Sequence, residues 1–473
     1  MDRRLTAALD YALSRGFQIH PDAFRMLQEI DVDAAARAVK EAVRSKSRGG
    51  VFQILVGDLE EGLGLGGGEP PRADLGVLFD PTPAVLAGGG SFRDLFASRY
   101  EKLRRIISAR PEAAKLRQIG NLKEEGYVCG LVSSKSADKK IARIGLEDPS
   151  GTIEGAVFEG GPMETAGSLL VDQVVMARVT PGQRGGVIQE IVLPEVPNEQ
   201  GRRSSTEEYA VFLSDLHVGS RYFMEEEFSE FVSWLSGPDP VARRVRFVLV
   251  CGDVVDGVGI YPGQDRELEQ QTAEEQLARA DELLGGIPSH VRIVVAPGNH
   301  DPGRRALPQP AIPRKYAGGL WERENVVMVG NPATVSLNGV RVAMFHGQSI
   351  DDIVKTTPGL SYDSPVGAMR LLLRARHVCP TYGGQTPVAP GPEDLLVLEG
   401  VPDVFHVGHV HKMELGAYRG ASLVNSGSWQ RQTPFQASVG MVPNPGIAVL
   451  LNLKTFKFLL KDFGGNSDEI LQY

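Results

Sequence analysis

Five short segments place Asp, Asn and His directly after apolar runs. They are Asp215-Leu216-His217, Gly252-Asp253-Val254-Val255-Asp256, Gly298-Asn299-His300-Asp301, His346-Gly347 and Gly408-His409-Val410-His411. Carboxylate and amide oxygens combined with imidazole nitrogens suit Mn, Fe, Zn or Ni better than Ca or Mg. There is no thiolate cluster, which argues against a structural zinc site. A carboxylate shared by two divalent metal ions ~3.5–4 Å apart would polarise a phosphoryl oxygen and lower the pKa of a water between them. That is the chemistry of phosphoester hydrolysis. A single Asp or His is usually a core hydrogen bonder or a loop residue. Five such segments in order, each after an apolar run, are poorly explained that way. His406 lies inside its run and reads as structural. His20, His290 and His377 have no ligand context.

The elements that must position these residues are legible beside them. Residues 211–213, 247–250, 293–295, 340–345 and 404–405 are short, mostly β-branched apolar runs that end in turn residues. Such runs predict strands buried on both faces. In open α/β sheets the functional groups sit just beyond the carboxyl ends of strands. The five segments therefore converge on one sheet edge. Between them, residues 267–284 read as a Glu- and Gln-rich helix, and residues 367–377 as a segment with apolar and basic faces.

The chain has 473 residues, enough for two to four domains. A net charge of −9 argues against nucleic-acid binding over the whole surface, though not against a local basic groove. The three cysteines, Cys129, Cys251 and Cys379, are odd in number and far apart, which predicts a reducing, cytoplasmic setting. Residues 1–17 carry charges every few positions and resemble no signal peptide. No run of ~18 apolar residues predicts a membrane span.

Residues 1–46 read as a helical module. Leu5, Leu9, Ala12 and Leu13 form one stripe, Pro21 opens a second helix, and Asp33 caps a third. Residues 47–91, with glycine runs at 62–68 and 88–90, read as a Gly/Pro-rich linker holding a short segment around Val77-Leu78-Phe79. Residues 92–114 hold a basic helix whose Arg93, Arg99, Lys102, Arg104 and Arg105 read as a solvated face sooner than a nucleic-acid contact. Residues 115–200 hold about five short strands with glycine turns, and residues 135–140 read as a polar basic hairpin. That pattern fits an OB-fold β-barrel. Tyr127 and Phe158 are its only strand-block aromatics, so a protein-docking barrel fits at least as well as a nucleic-acid-binding one. Residues 206–463 carry the five segments, and residues 464–473 form a polar tail.

The five ordered segments resemble the calcineurin-like metallophosphoesterase superfamily. That likeness implies an α/β sandwich in which Asp215, His217 and His411 hold one metal. Asn299, His346 and His409 would hold the other, and Asp253 would bridge. His300 would be the catalytic imidazole, assisted by Asn299 on the phosphate. Asp256 and Asp301 would orient neighbouring imidazoles. Non-catalytic text sharpens the resemblance. Residues 146–151, 372–383 (LLRARHVCPTYG) and 425–433 (NSGSWQRQT) are similar to the small subunits of archaeal family D DNA polymerases. The likeness covers roughly residues 95–463, and its fold is a multidomain chain: small helical N-terminal region, OB-fold barrel, then phosphoesterase domain. It implies a 3′-5′ exonuclease that proofreads, with two metals, manganese before Fe, Zn or Ni. The implied partners are a large polymerase subunit in a heterodimer, DNA with a 3′ end and a sliding clamp, without a membrane. The eukaryotic small subunits also resemble this chain but have lost metal ligands, whereas here every ligand position is filled. A free-standing phosphatase or cyclic-nucleotide phosphodiesterase, and a non-catalytic assembly subunit, are the competing readings. Arg304 and Arg305 stand where they could touch phosphate, with surface solvation as the plainer role.

Overall fold

A computed structural model describes residues 3–46, 53–54, 59, 73–138, 140–183, 185–438, 440–465 and 471–472. They fall into two units, Met1–Arg72 and Ala73–Tyr473. The first holds helices Arg3–Ser14, Pro21–Glu29 and Val32–Lys46, with Gln18–Ile19 paired in parallel to Gln53–Ile54. Leu5, Leu9, Ala12, Leu27, Val39 and Val43 form its core, as the apolar spacing requires. Two details differ from the expected ones. Leu13 is 59% exposed and does not extend the stripe. The third helix is capped by Asp31, whose Oδ2 accepts from Asp33 N and Ala34 N, so Asp33 sits inside the first turn.

In the second unit two sheets face each other. One has seven strands in the order Val326–Met328, Arg292–Ala296, Val245–Cys251, Tyr209–Leu213, Ile447–Asn452, Phe458–Asp462, Leu471–Gln472. Its first four are parallel and the last three run antiparallel to their neighbours. The other sheet has six, in the order Met413–Tyr418, Ala421–Ser426, Val404–Val407, Val340–Phe345, Ala333–Leu337, Leu75–Phe79. Alternate side chains explain the continuous apolar runs. Ala210 and Phe212 point inward to meet Val342, Met344, Val404 and Val424 of the facing sheet. Val211 and Leu213 point outward to Phe228, Phe231, Leu277 and Leu284 of helices Glu225–Leu235 and Ala273–Gly285. Phe345, Phe405 and Val407 pack against Val366, Met369 and Leu373 of helix Pro365–Ala375. The result is an α/β sandwich of four layers, with the carboxyl ends of the parallel strands grouped at its rim.

Strands Gly126–Ala137, Ile141–Asp148, Gly151–Phe158, Gly185–Val192 and Val174–Gly182 form a sheet that closes when the first pairs with the last. This five-stranded barrel is filled by Val128, Val132, Ile144, Leu146, Val175 and Val179. The expected basic hairpin joins the antiparallel strands Gly126–Ala137 and Ile141–Asp148, and Lys135 Nζ donates to the carbonyls of Gly167 and Leu169.

The stretch expected as a linker over 47–91 divides. Residues 47–52, 55–58 and 60–72 lie outside the described residues, while Leu75–Phe79 is an edge strand paired with Ala333–Leu337, and Thr82–Ala87 is a short helix. The helix Phe92–Ile107 corrects another expectation. Arg99 is fully buried, its Nε 2.7 Å from Asp394 Oδ2 and its Nη1 donating to Pro380 O. Lys102 bridges Glu393 and Glu399. Arg99 and Lys102 thus fasten the helix to the sandwich, while Arg93, Arg104 and Arg105 are exposed, as expected. In the tail, residues 466–470 and 473 lie outside the described residues, and Leu471–Gln472 pairs with the strand before it.

Candidate metal centre

Each ligand segment sits where a parallel strand ends, and the backbone there is bent sharply. Asp215, His217, Asp253, His409 and His411 all have positive φ, between 48° and 71°. Left-handed backbone costs an L-residue roughly 1–2 kcal/mol, least for Asp, Asn and His. Five such residues in one rim are strain held at a site. Two glycines allow the crowding. A Cβ on Gly252 would lie 2.4 Å from His346 Nδ1, and one on Gly298 would lie 2.4 Å from Asp253 N.

Three overlapping clusters result, each with ligand atoms within 4.8 Å of one another: Asp215, His217 and His411; His217, Asp253 and His300; Asp253, His346 and His409. His217 Nε2 and His411 Nε2 face each other at 3.1 Å, and Asp215 Oδ1 lies 3.4 Å from the latter. That carboxylate oxygen is buried without a hydrogen-bond partner. An orphaned buried oxygen facing two ring nitrogens is what a cation would satisfy. In the third cluster His346 Nε2 lies 3.2 Å from Asp253 Oδ2 and 3.0 Å from Asn299 Oδ1. The residues present therefore fit divalent cations.

The second nitrogen of each imidazole is held from behind, which fixes ring and tautomer. His346 Nδ1 donates to Cys251 O at 2.9 Å, leaving Nε2 to the site. His217 Nδ1 is 3.0 Å from Asp256 Oδ1. His409 Nε2 is 3.1 Å from Asp351 Oδ2, and His411 Nδ1 is 2.9 Å from the Gln436 amide. Asp256 is itself held by Gln430 and Gln264, at 2.9 and 2.8 Å. Asp256 thus orients an imidazole, and its backbone oxygen accepts from His300 Nδ1 at 2.8 Å. Asp301 acts differently from expectation: it accepts from the backbone N–H groups of Val254, Val255 and Gly298, and so ties two ligand loops together. Asp351 and Gln436 carry no local sequence signal. Gln430 stands in the NSGSWQ block.

The electrostatics follow from this crowding. Burial pushes the Asp253 carboxyl up, but His346 and His300 outweigh it and hold the group well below its ordinary value. Burial likewise opposes the charge on His346, yet Asp253 pushes that imidazole up to about 10. Burial keeps His300 below its ordinary value against the pull of Asp253. Burial and the Asp253 charge push Asp301 up to about 7.

The site lies in a cleft of about 840 Å³ that His217, Asp253, His300, His409 and His411 help to line. His406 is buried off the cleft, Nε2 3.0 Å from Ser426 Oγ, and burial lowers its pKa to about 3, a structural histidine as expected. His377 is buried against Asp394 at 3.0 Å and belongs to none of the ligand clusters. Arg304 turns to the carbonyl of Pro308, and Arg305 is exposed; neither lines this cleft.

Comparisons with known proteins point to a family. The family of B subunits of the DNA polymerases alpha and epsilon matches residues 210–414. The DNA polymerase II small subunit of Pyrococcus furiosus is 38% identical over 426 residues, which is 83% of this chain and 69% of that one. That of Archaeoglobus fulgidus is 42% identical, covering 74% of this chain and 72% of its own. That of Methanothermobacter thermautotrophicus is 36% identical, covering 94% and 97%. Among solved structures, Vps29 of Entamoeba histolytica, complexed with zinc, covers 56% of this chain and 98% of its own, at 14% identity and a TM-score of 0.30. An archaeal phosphodiesterase covers 56% and 99%, at 12% identity and a TM-score of 0.29.

Proposed function

The chain belongs to the family of archaeal DNA polymerase II small subunits, and from that premise we propose that it is a metal-dependent 3′-5′ exonuclease that proofreads for a large polymerase subunit and is its scaffold. The observation that supports this reading is the clustering of the expected ligands: Asp215, His217 and His411 form one group, Asp253, His346 and His409 another, and Asn299 lies 3.0 Å from His346. A scaffold alone would not need that strained, fully furnished rim.

Asp215, His217 and His411 would hold one cation, Asn299, His346 and His409 the other, and Asp253 would bridge. When bound, two divalent cations polarise the phosphoryl group and lower the pKa of the attacking water, and manganese suits this donor set. Asn299 and His300 flank Asp253 and would grip the terminal phosphodiester. His300 Nδ1 is tied to the Asp256 carbonyl, so its Nε2 faces the site, 4.0 Å from Asp253 Oδ2. Burial disfavours the imidazolium, and an entering phosphate would reverse that preference. The protonated ring would then donate to the departing 3′ oxygen while the P–O bond breaks, and the terminal nucleotide would leave as a 5′-monophosphate.

The five-stranded barrel is read as an OB-fold, with a docking role toward the large subunit in a heterodimer. No described helix is long and apolar enough to cross a membrane. The test is digestion of a 5′-labelled oligonucleotide bearing a 3′ mismatch, with Mn²⁺ and with chelator. A ladder of shortened products only with Mn²⁺ is expected. An untouched oligonucleotide, both for this chain alone and for its complex with the large subunit, would overturn the reading.

A further inference from the structure

The cleft is lined by aromatic rings that the metal site does not use. Tyr261 and Phe435 stack with ring centroids 6.1 Å apart and planes 18° from parallel. Phe435 is 56% exposed, so its ring face is open to the cleft. Both rings line the same cleft as His300 and His411, as do Tyr362, Lys355 and Lys412, the last paired with Asp363 at 3.3 Å.

The rings are fastened to the metal centre. Phe435 lies on the short helix Pro434–Ser438, whose next residue, Gln436, touches His411. Tyr261 sits in the loop pinned by Gln264, which donates to both the side chain and the backbone of Asp256. Tyr261 is itself held, its hydroxyl 3.0 Å from Glu267 Oε2. A stacked, partly exposed aromatic pair at a fixed offset from a phosphate-handling centre is suited to a flat π-face. Bases of any sequence supply one, and two lysines suit the strand's phosphates.

We propose that the Tyr261–Phe435 pair is a stacking platform for the terminal base of a single strand whose last phosphodiester lies at the metal centre, with Lys355 and Lys412 on neighbouring phosphates. This rests on the exonuclease reading for the position of the phosphate. It makes the site read a base by its face and not by its hydrogen-bonding edge, so all four terminal bases are accepted. A frayed or mismatched end reaches the platform; a paired end does not, because its base stays in the duplex.

The test mixes the full chain, loaded with Mn²⁺, with a single strand ending in 2-aminopurine beside thymines. Stacking on the rings quenches the fluorescence, and release of the terminal nucleotide then raises it. Wild type is expected to show the quench before the rise. Phe435→Leu loses the quench at saturating protein and binds roughly tenfold more weakly, whereas Phe435→Trp retains it. A quench without a rise would uphold the platform and refute the exonuclease. A rise without a quench, or an undiminished quench in Phe435→Leu, would refute the platform and leave the exonuclease standing. Absence of both, with no binding, would overturn both.

Discussion

Asp351→Ala and Asp256→Asn should strike different metals, because each residue stands behind a different ligand. Asp351 Oδ2 holds His409 Nε2 at 3.1 Å, and His409 belongs to the cluster with Asp253 and His346. Asp256 Oδ1 holds His217 Nδ1 at 3.0 Å, and His217 belongs with Asp215 and His411. Loss of such a partner frees the ring to rotate and costs roughly 10- to 100-fold in metal affinity, about 1.4–2.8 kcal/mol. Asp351→Ala should lie toward the upper end, since nothing replaces the acceptor. Asp256→Asn adds a second cost, because Asp256 also accepts from Gln264 and Gln430. An amide there leaves one of those donors facing N–H, worth ~1–3 kcal/mol of stability. Titration of the metal-free protein with Mn²⁺, followed by the electron paramagnetic resonance of free ion, resolves two sites. In Asp351→Ala one site should weaken and the other keep its affinity. Equal weakening of both sites, or of neither, would refute the reasoning.

His300→Ala should abolish cleavage while leaving the metal content of the protein unchanged, whereas Asp253→Ala should lose both; equal metal content in the two variants would contradict the assignment of roles. His406 gives a pH signature. Its folded pKa is depressed to about 3 by burial, below an unfolded value near 6.5. Its stability contribution is therefore present above pH ~6.5 and lost as pH falls through the window toward 3. At pH 5.5 the loss is on the order of 1 kcal/mol, so the melting temperature of wild type should fall more steeply with acid than that of His406→Gln, and parallel curves would refute this. Arg99→Ala leaves Asp394 buried without its guanidinium partner and should cost ~3–5 kcal/mol in denaturant unfolding. A cost below about 1 kcal/mol would mean that the pair is not buried in solution.

What can be read from sequence is what is local. Asp215, Asp253, Asn299, His346 and His409 each follow a strand whose apolar run announces both itself and its end. The barrel strands are equally visible, as short apolar stretches set off by glycine and polar turns. What escapes depends on partners far along the chain. Arg99 reads as one more surface charge on a basic helix until Asp394 is brought to it from 295 residues away. Residues 75–79 read as a linker because the strand that completes them lies at Ala333–Leu337. Asp351 and Gln436 act through single hydrogen bonds to His409 and His411, and no periodicity marks them. Asp33 and Asp31 suit the cap of the third helix equally by residue type, and only the backbone geometry chooses Asp31.

The central claim is a two-metal centre bridged by Asp253, and anomalous diffraction from crystals of the full chain soaked in Mn²⁺ tests it most directly. Two peaks ~3.5–4 Å apart are expected, one beside Asp215, His217 and His411, the other beside Asn299, His346 and His409, with Asp253 touching both. No peak in the cleft, or a single one away from Asp253, would contradict it.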